Sequence, residues 1–121
     1  MSKTILRAAI AFAFALTATA ADAHAQLVKA TPGAGATVAA AADIRLKFSE
    51  AVEPRFSHLA LTAADGATIA LGPAKTEPGD ATVLVAPVVK PLPPGAYAVR
   101  WSAVSVDTHH TQGEFAFTVK P

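Results

Sequence analysis

Along the second half of the chain, apolar residues recur at every second position. Tyr97, Val99, Trp101 and Ala103 alternate with Ala98, Arg100 and Ser102, and Phe115, Phe117 and Val119 alternate with Ala116 and Thr118. Successive side chains of an extended backbone point to opposite faces, so each run predicts a half-buried strand, with Tyr97, Val99 and Trp101 assigned to the core. The pattern recurs earlier, in Ile44, Leu46 and Phe48 between Arg45 and Lys47, and in Leu59 and Leu61. Asp65-Gly66 is a hairpin signal leading to Ile69 and Leu71. Gln26 to Ala30 reads as a short strand, and the β-branched stretch Thr82 to Ala86 as another. Punctuation falls at Thr31-Pro32-Gly33-Ala34-Gly35, at Pro54, at Pro73, Pro78 and Gly79 (a polar connection), and at the stiff Pro91-Leu92-Pro93-Pro94-Gly95. The Ala-rich piece Val38 to Ala42 suggests at most a helical turn. About seven short strands, turn signals roughly every 8 to 12 residues and no helical periodicity predict an all-β domain, a small β-sandwich or Greek-key barrel.

The first 23 residues do not fit that pattern. Lys3 and Arg7 give a positive start, Ala8 to Ala18 is nearly unbroken apolar sequence, and Ala21-Asp22-Ala23 ends in an Ala-x-Ala site. Residues 1–23 therefore read as a secretory signal peptide cut after Ala23; the apolar run is short against the ~20 residues of a membrane span. Cleavage makes His24 the first residue of the exported mature protein and leaves no membrane span. Removing residues 1–23 from the 121 leaves 98, enough for one domain spanning residues 24–121.

Charge and sulfur content narrow the function. Lys3 and Arg7 leave with the signal from the 10 basic residues and Asp22 from the 9 acidic ones, so eight of each sign remain. A near-neutral chain gives no reason to expect nucleic acid or an acidic membrane surface as partner. There is no cysteine, which excludes disulfides, a thiolate nucleophile and a Cys metal site, and Met1 is the only methionine. The mature chain thus has no sulfur ligand for a soft metal ion.

The candidate chemistry lies in Asp107-Thr108-His109-His110. If Val104 to His110 is extended, Asp107 and His109 share a face and can hold one metal ion, with His110 pointing the other way. An N-terminal His24 adds its free α-amine and its ring Nδ1 as a chelate. Three nitrogens and one carboxylate oxygen suit the tetragonal geometry of Cu(II). Taken singly, a His after a leader is usually only a terminus and an Asp-x-His in a loop usually solvated; together they are harder to dismiss. His58, opposite Leu59 and Leu61, and His110 read as solvated strand and surface residues.

These residues resemble the CopC family of periplasmic copper-binding proteins. The resemblance rests on His24 after the cleavage site, the segment His24 to Pro32 with Gly33 to Val38, Phe48-Ser49-Glu50-Ala51-Val52, Leu92-Pro93-Pro94-Gly95-Ala96-Tyr97, Val99-Arg100-Trp101, and Ser105-Val106-Asp107-Thr108-His109 with Gly113, Phe115 and Phe117. It implies an immunoglobulin-like Greek-key fold that binds one Cu(II) per chain through His24, Asp107 and His109. It also brings Glu50 into the metal set. Glu50 reads as a carboxylate that hydrogen-bonds the amine and imidazole, or as a solvated strand-end residue; direct ligation is disfavoured because Cu(II) already has four equatorial donors. Glu53 reads as solvated.

The resemblance further implies a non-enzymatic role, copper buffering, resistance or delivery by a monomer, with an inner-membrane copper transport protein as possible partner. Some members carry a Met-rich loop for Cu(I), which is lacking here. Two alternatives stand beside this reading. A histidine-brace copper monooxygenase-like enzyme also uses an N-terminal His and a second His, but Asp107 would fill a position that oxygen chemistry needs open. In a metal-free immunoglobulin-like interaction module, the terminus and the Asp-x-His would be coincidence.

Overall fold

The computed structural model describes residues 25–121; His24 and the expected signal peptide lie outside the described residues. The strands in chain order are β1 (Leu27–Thr31), β2 (Thr37–Val38), β3 (Asp43–Phe48), β4 (His58–Ala63), β5 (Thr68–Ile69), β6 (Lys75–Glu77), β7 (Asp80–Pro87), β8 (Gly95–Val104) and β9 (His110–Val119). They form a four-stranded sheet ordered β1-β3-β7-β6 and a five-stranded sheet ordered β2-β9-β8-β4-β5. Pairing is antiparallel except between β2 and β9. The chain crosses between the sheets after β1, β2, β3, β5 and β7, which makes a sandwich of the all-β class expected from the alternation.

The alternating residues build the core. Ile44, Leu46 and Phe48 of β3 and Leu84 and Ala86 of β7 are buried, as are Leu61 of β4, Tyr97, Val99, Trp101 and Ala103 of β8, and Phe117 and Val119 of β9. Phe48 meets Trp101 edge to face, ring centroids 5.3 Å apart at 67°, joining one sheet to the other. Such a pair contributes about 0.5–1.5 kcal/mol beyond its buried area. Trp101 lies against Gly113, its cross-strand partner; a Cβ there would come within 2.7 Å of the indole Cζ2. The Tyr97 hydroxyl donates to the Pro93 carbonyl at 2.5 Å, fastening the proline-rich turn to the start of β8.

Two short elements depart from the sequence reading. Nine strands form where about seven were expected: the two-residue β2 lies in a stretch expected to be at most a helical turn, and β6 in one expected to be a connection. Lys75-Thr76-Glu77 has no apolar alternation, but its backbone pairs with β7 at the sheet edge, where polar side chains are tolerated. The stretch after Val38 forms no helical turn; Thr37 and Val38 instead pair with Thr118 and Val119 of β9. Four alanines without a cap are too few to nucleate a helix against that pairing.

Candidate metal centre

The hairpin joining β8 to β9 carries Asp107 and His109. Val104 pairs with His110, so residues 105–109 must reverse the chain and cannot be extended as the sequence suggested. The Thr108 N–H donates to the Ser105 carbonyl at 2.8 Å and the Ser105 N–H to the His109 carbonyl at 2.9 Å. Thr108 takes the left-handed conformation, φ 72°, that closes so tight a turn. The sequence offers no glycine or asparagine at that place, and the turn was missed for that reason.

The reversal still brings the two side chains together. His109 Nδ1 lies 3.2 Å from Asp107 Oδ1, with both side chains about half exposed. Beneath them sits Ser105, fully buried. Its hydroxyl donates to Asp107 Oδ1 and accepts from the His109 N–H at 3.2 Å, so one buried oxygen braces both residues. The Ser105 hydroxyl, and behind it the ring and backbone N–H of His109, hold the Asp107 carboxyl below the usual carboxylate range against an opposing desolvation effect. Asp107 is therefore an anion at neutral pH.

Two further segments converge on this hairpin. Val52 bridges Ser105, the Val106 N–H donates to the Ala51 carbonyl at 3.1 Å, and the Glu53 N–H to the Val104 carbonyl at 2.8 Å. The buried Ser57 hydroxyl donates to the Glu53 carbonyl at 2.7 Å and accepts from the Val104 N–H at 3.1 Å. Glu50 thus belongs to a segment that pairs with the hairpin from its next residue onward. It is not gathered with Asp107 and His109: among the described residues no group of three or more His, Cys, Asp or Glu could hold a metal ion.

The second segment is the start of the described chain. Ala25 is fully buried, and its carbonyl accepts from the Thr111 hydroxyl at 2.8 Å. The Gln26 N–H donates to the Ser49 hydroxyl at 2.9 Å, and the Ser49 N–H to the Gln26 carbonyl at 2.8 Å. His110 and His58 are exposed first residues of β9 and β4. A depression of about 670 Å³, lined by His58, Arg100, Ser102, Gln112 and Glu114 among others, includes none of Asp107, His109 and Glu50.

The donors fit a borderline divalent ion: one carboxylate and one imidazole at contact distance and no sulfur. Sequence reasoning missed Ser105, Ser49 and Thr111. A serine two residues before an aspartate is a recognisable local hydrogen-bonding pattern, whereas Thr111 finds Ala25 across 86 residues with no local signal.

A family model described as the CopC domain matches residues 27–120. The chain belongs to the CopC family. It is similar to Protein YobA of Escherichia coli strain K12, 43% identical over 98 residues that cover 80% of this chain and 79% of the relative. It is 40% identical over 102 residues to copper resistance protein C of Pseudomonas syringae pv. tomato, covering 80% of this chain and 81% of that one. Among solved structures it resembles PcoC, a methionine-rich copper resistance protein from Escherichia coli, with a TM-score of 0.74 and 37% identity over 81% of this chain and 100% of that chain. The family resemblance drawn from the motifs and the β-sandwich expected from the alternation both agree with these matches. Here the CopC scaffold is built without methionine beyond Met1.

Proposed function

We propose that this chain is exported, cut after Ala23, and holds one Cu(II) in the periplasm through the α-amine and ring Nδ1 of His24, the Asp107 carboxylate and the His109 imidazole. Membership of the CopC family and likeness to copper resistance proteins support copper as the cargo. The observation that carries the assignment of the site is the buried Ala25, tied to Thr111 two residues beyond His109, since residue 24 can stand only one peptide, about 3.8 Å, from it. His109 Nδ1 and Asp107 Oδ1, 3.2 Å apart, are close enough to be neighbouring donors to one ion. Ser105 orients both donors from beneath, as partners outside the ligand set commonly do. Glu50, on the segment paired with the hairpin, serves the amine or the ring by hydrogen bonding and not as a further donor to the ion.

The role is binding and transfer, not catalysis: buffering, resistance, or delivery to an inner-membrane copper transport protein. Four equatorial donors leave the ion no open in-plane position, and the mature chain brings no sulfur to hold Cu(I). The test is Cu(II) titration of the exported, processed protein followed by electron paramagnetic resonance. One equivalent with a type 2 signal and nitrogen coupling is expected; no saturable binding overturns the proposal.

A further inference from the structure

We propose that the Thr111 hydroxyl is a positioning group for metal capture: it fastens the segment that carries the His24 chelate to the strand next to His109. The inference rests on the reading that His24 supplies two donors. The Thr111 side chain reaches Ala25 across 86 residues of sequence, donating to its carbonyl at 2.8 Å. That carbonyl belongs to the residue immediately after residue 24. The neighbouring Gln26 is held from the other sheet, through both backbone groups, by Ser49 at the end of β3. Residues 25 and 26 are therefore clasped between the two sheets.

A chain end normally frays, and ordering it on binding opposes affinity. Here the ordering accompanies folding, before any metal arrives, and the clasp stands two residues from His109 along the same strand connection. The Thr111 hydroxyl is not needed for the β8–β9 ladder, which pairs the backbones of Thr111 and Ala103. Its loss removes the side of the clasp next to His109 while the strand pairing and the Ser49 bonds to Gln26 are kept. Valine, of the same shape without the hydroxyl, separates the two roles.

The experiment measures Cu(II) affinity by chelator competition for the exported protein carrying Thr111, Thr111→Val or Thr111→Ser. Each is prepared with its authentic His24 terminus and with one glycine added before it. With the authentic terminus, Thr111→Val should weaken binding about tenfold, the equivalent of about 1.4 kcal/mol, and Thr111→Ser should restore it. With the added glycine the chelate is already lost, so Thr111→Val should change the remaining affinity less than about twofold, a coupling that a merely structural role would not give. Hydrogen exchange on the unaltered metal-free protein supplies an independent check: the Gln26 N–H should be protected.

Equal affinity of Thr111→Val and the parent, the same loss in both backgrounds, or an unprotected Gln26 N–H overturns the proposal. If the parent itself binds no Cu(II), this inference falls together with the copper reading. If the parent binds and Thr111→Val is silent, only the positioning role falls.

Discussion

Asp107 Oδ1 and His109 Nδ1 stand 3.2 Å apart although the residue between them turns the backbone through the left-handed region. In an extended strand, side chains two positions apart share a face but sit about 7 Å from each other along it. The turn draws them closer. The first expectation follows: Asp107→Asn and His109→Ala should each weaken Cu(II) binding by about 100-fold or more, since loss of a partner outside the ligand set alone costs about 10–100-fold. His110→Ala and His58→Ala, exposed at strand starts, should change it little. Isothermal titration with a competing chelator reads the difference; a His110→Ala loss as large as that of His109→Ala contradicts the hairpin geometry.

Ser105→Ala tests the brace. Removing a fully buried hydroxyl that serves both Asp107 and His109 should cost about 1–3 kcal/mol of stability, read by denaturant unfolding. The Asp107 carboxyl should then titrate closer to the ordinary carboxylate range, because its largest lowering influence is gone. Nuclear magnetic resonance titration of the Asp107 carboxyl in the metal-free protein decides it; an unchanged midpoint would mean that His109 alone sets the shift.

The acid response has a second source on the opposite sheet. Asp80 is held below the usual carboxylate range first by the Thr82 hydroxyl at 2.5 Å, then by the Thr82 N–H at 3.0 Å, with Lys47 at 3.5 Å adding to it. A carboxylate whose folded pKa is depressed binds its proton more readily when unfolded, so its stabilising effect is present above the unfolded value near 4 and fades as pH falls through the lower folded value. Asp80→Asn should therefore flatten the loss of thermal stability below about pH 4. A pH–stability profile for Asp80→Asn that parallels that of the parent would refute this.

Gly113 is required by Trp101. Even the Cβ of Gly113→Ala would press within 2.7 Å of the indole, and Gly113→Val would displace the ring from Phe48. Overpacking of this kind costs about 1–3 kcal/mol. The emission of the single tryptophan should shift to the red in Gly113→Val, while an unshifted spectrum and unchanged stability would contradict the packing described.

The long strands were legible because burial imposes a period of two. Ile44, Leu46 and Phe48, and Tyr97, Val99, Trp101 and Ala103, alternate so regularly that no other element accommodates them. Lys75–Glu77 was not legible, since an edge strand is held by backbone bonds that leave no mark on its side chains. In the candidate site, the types of Asp107 and His109 announced their chemistry, but their arrangement came from Thr108, a residue with no turn preference strong enough to reveal it. Ser49 and Thr111 became meaningful only when folding brought Gln26 and Ala25 beside them.

Processing completes the donor set, because the α-amine of His24 exists only after cleavage at Ala23. One residue added before His24 turns that amine into an amide and removes the chelate without touching the described domain. The direct measurement is Cu(II) affinity of the authentic His24 terminus against a glycine-extended form, at neutral pH and again at lower pH. Protons compete with copper for an amine and an imidazole, whereas the lowered carboxyl of Asp107 stays ionised, so affinity of the authentic form should fall as pH falls. The extended form should bind more weakly by orders of magnitude with its thermal unfolding unchanged; equal affinity of the two forms would contradict a donor role for the His24 α-amine.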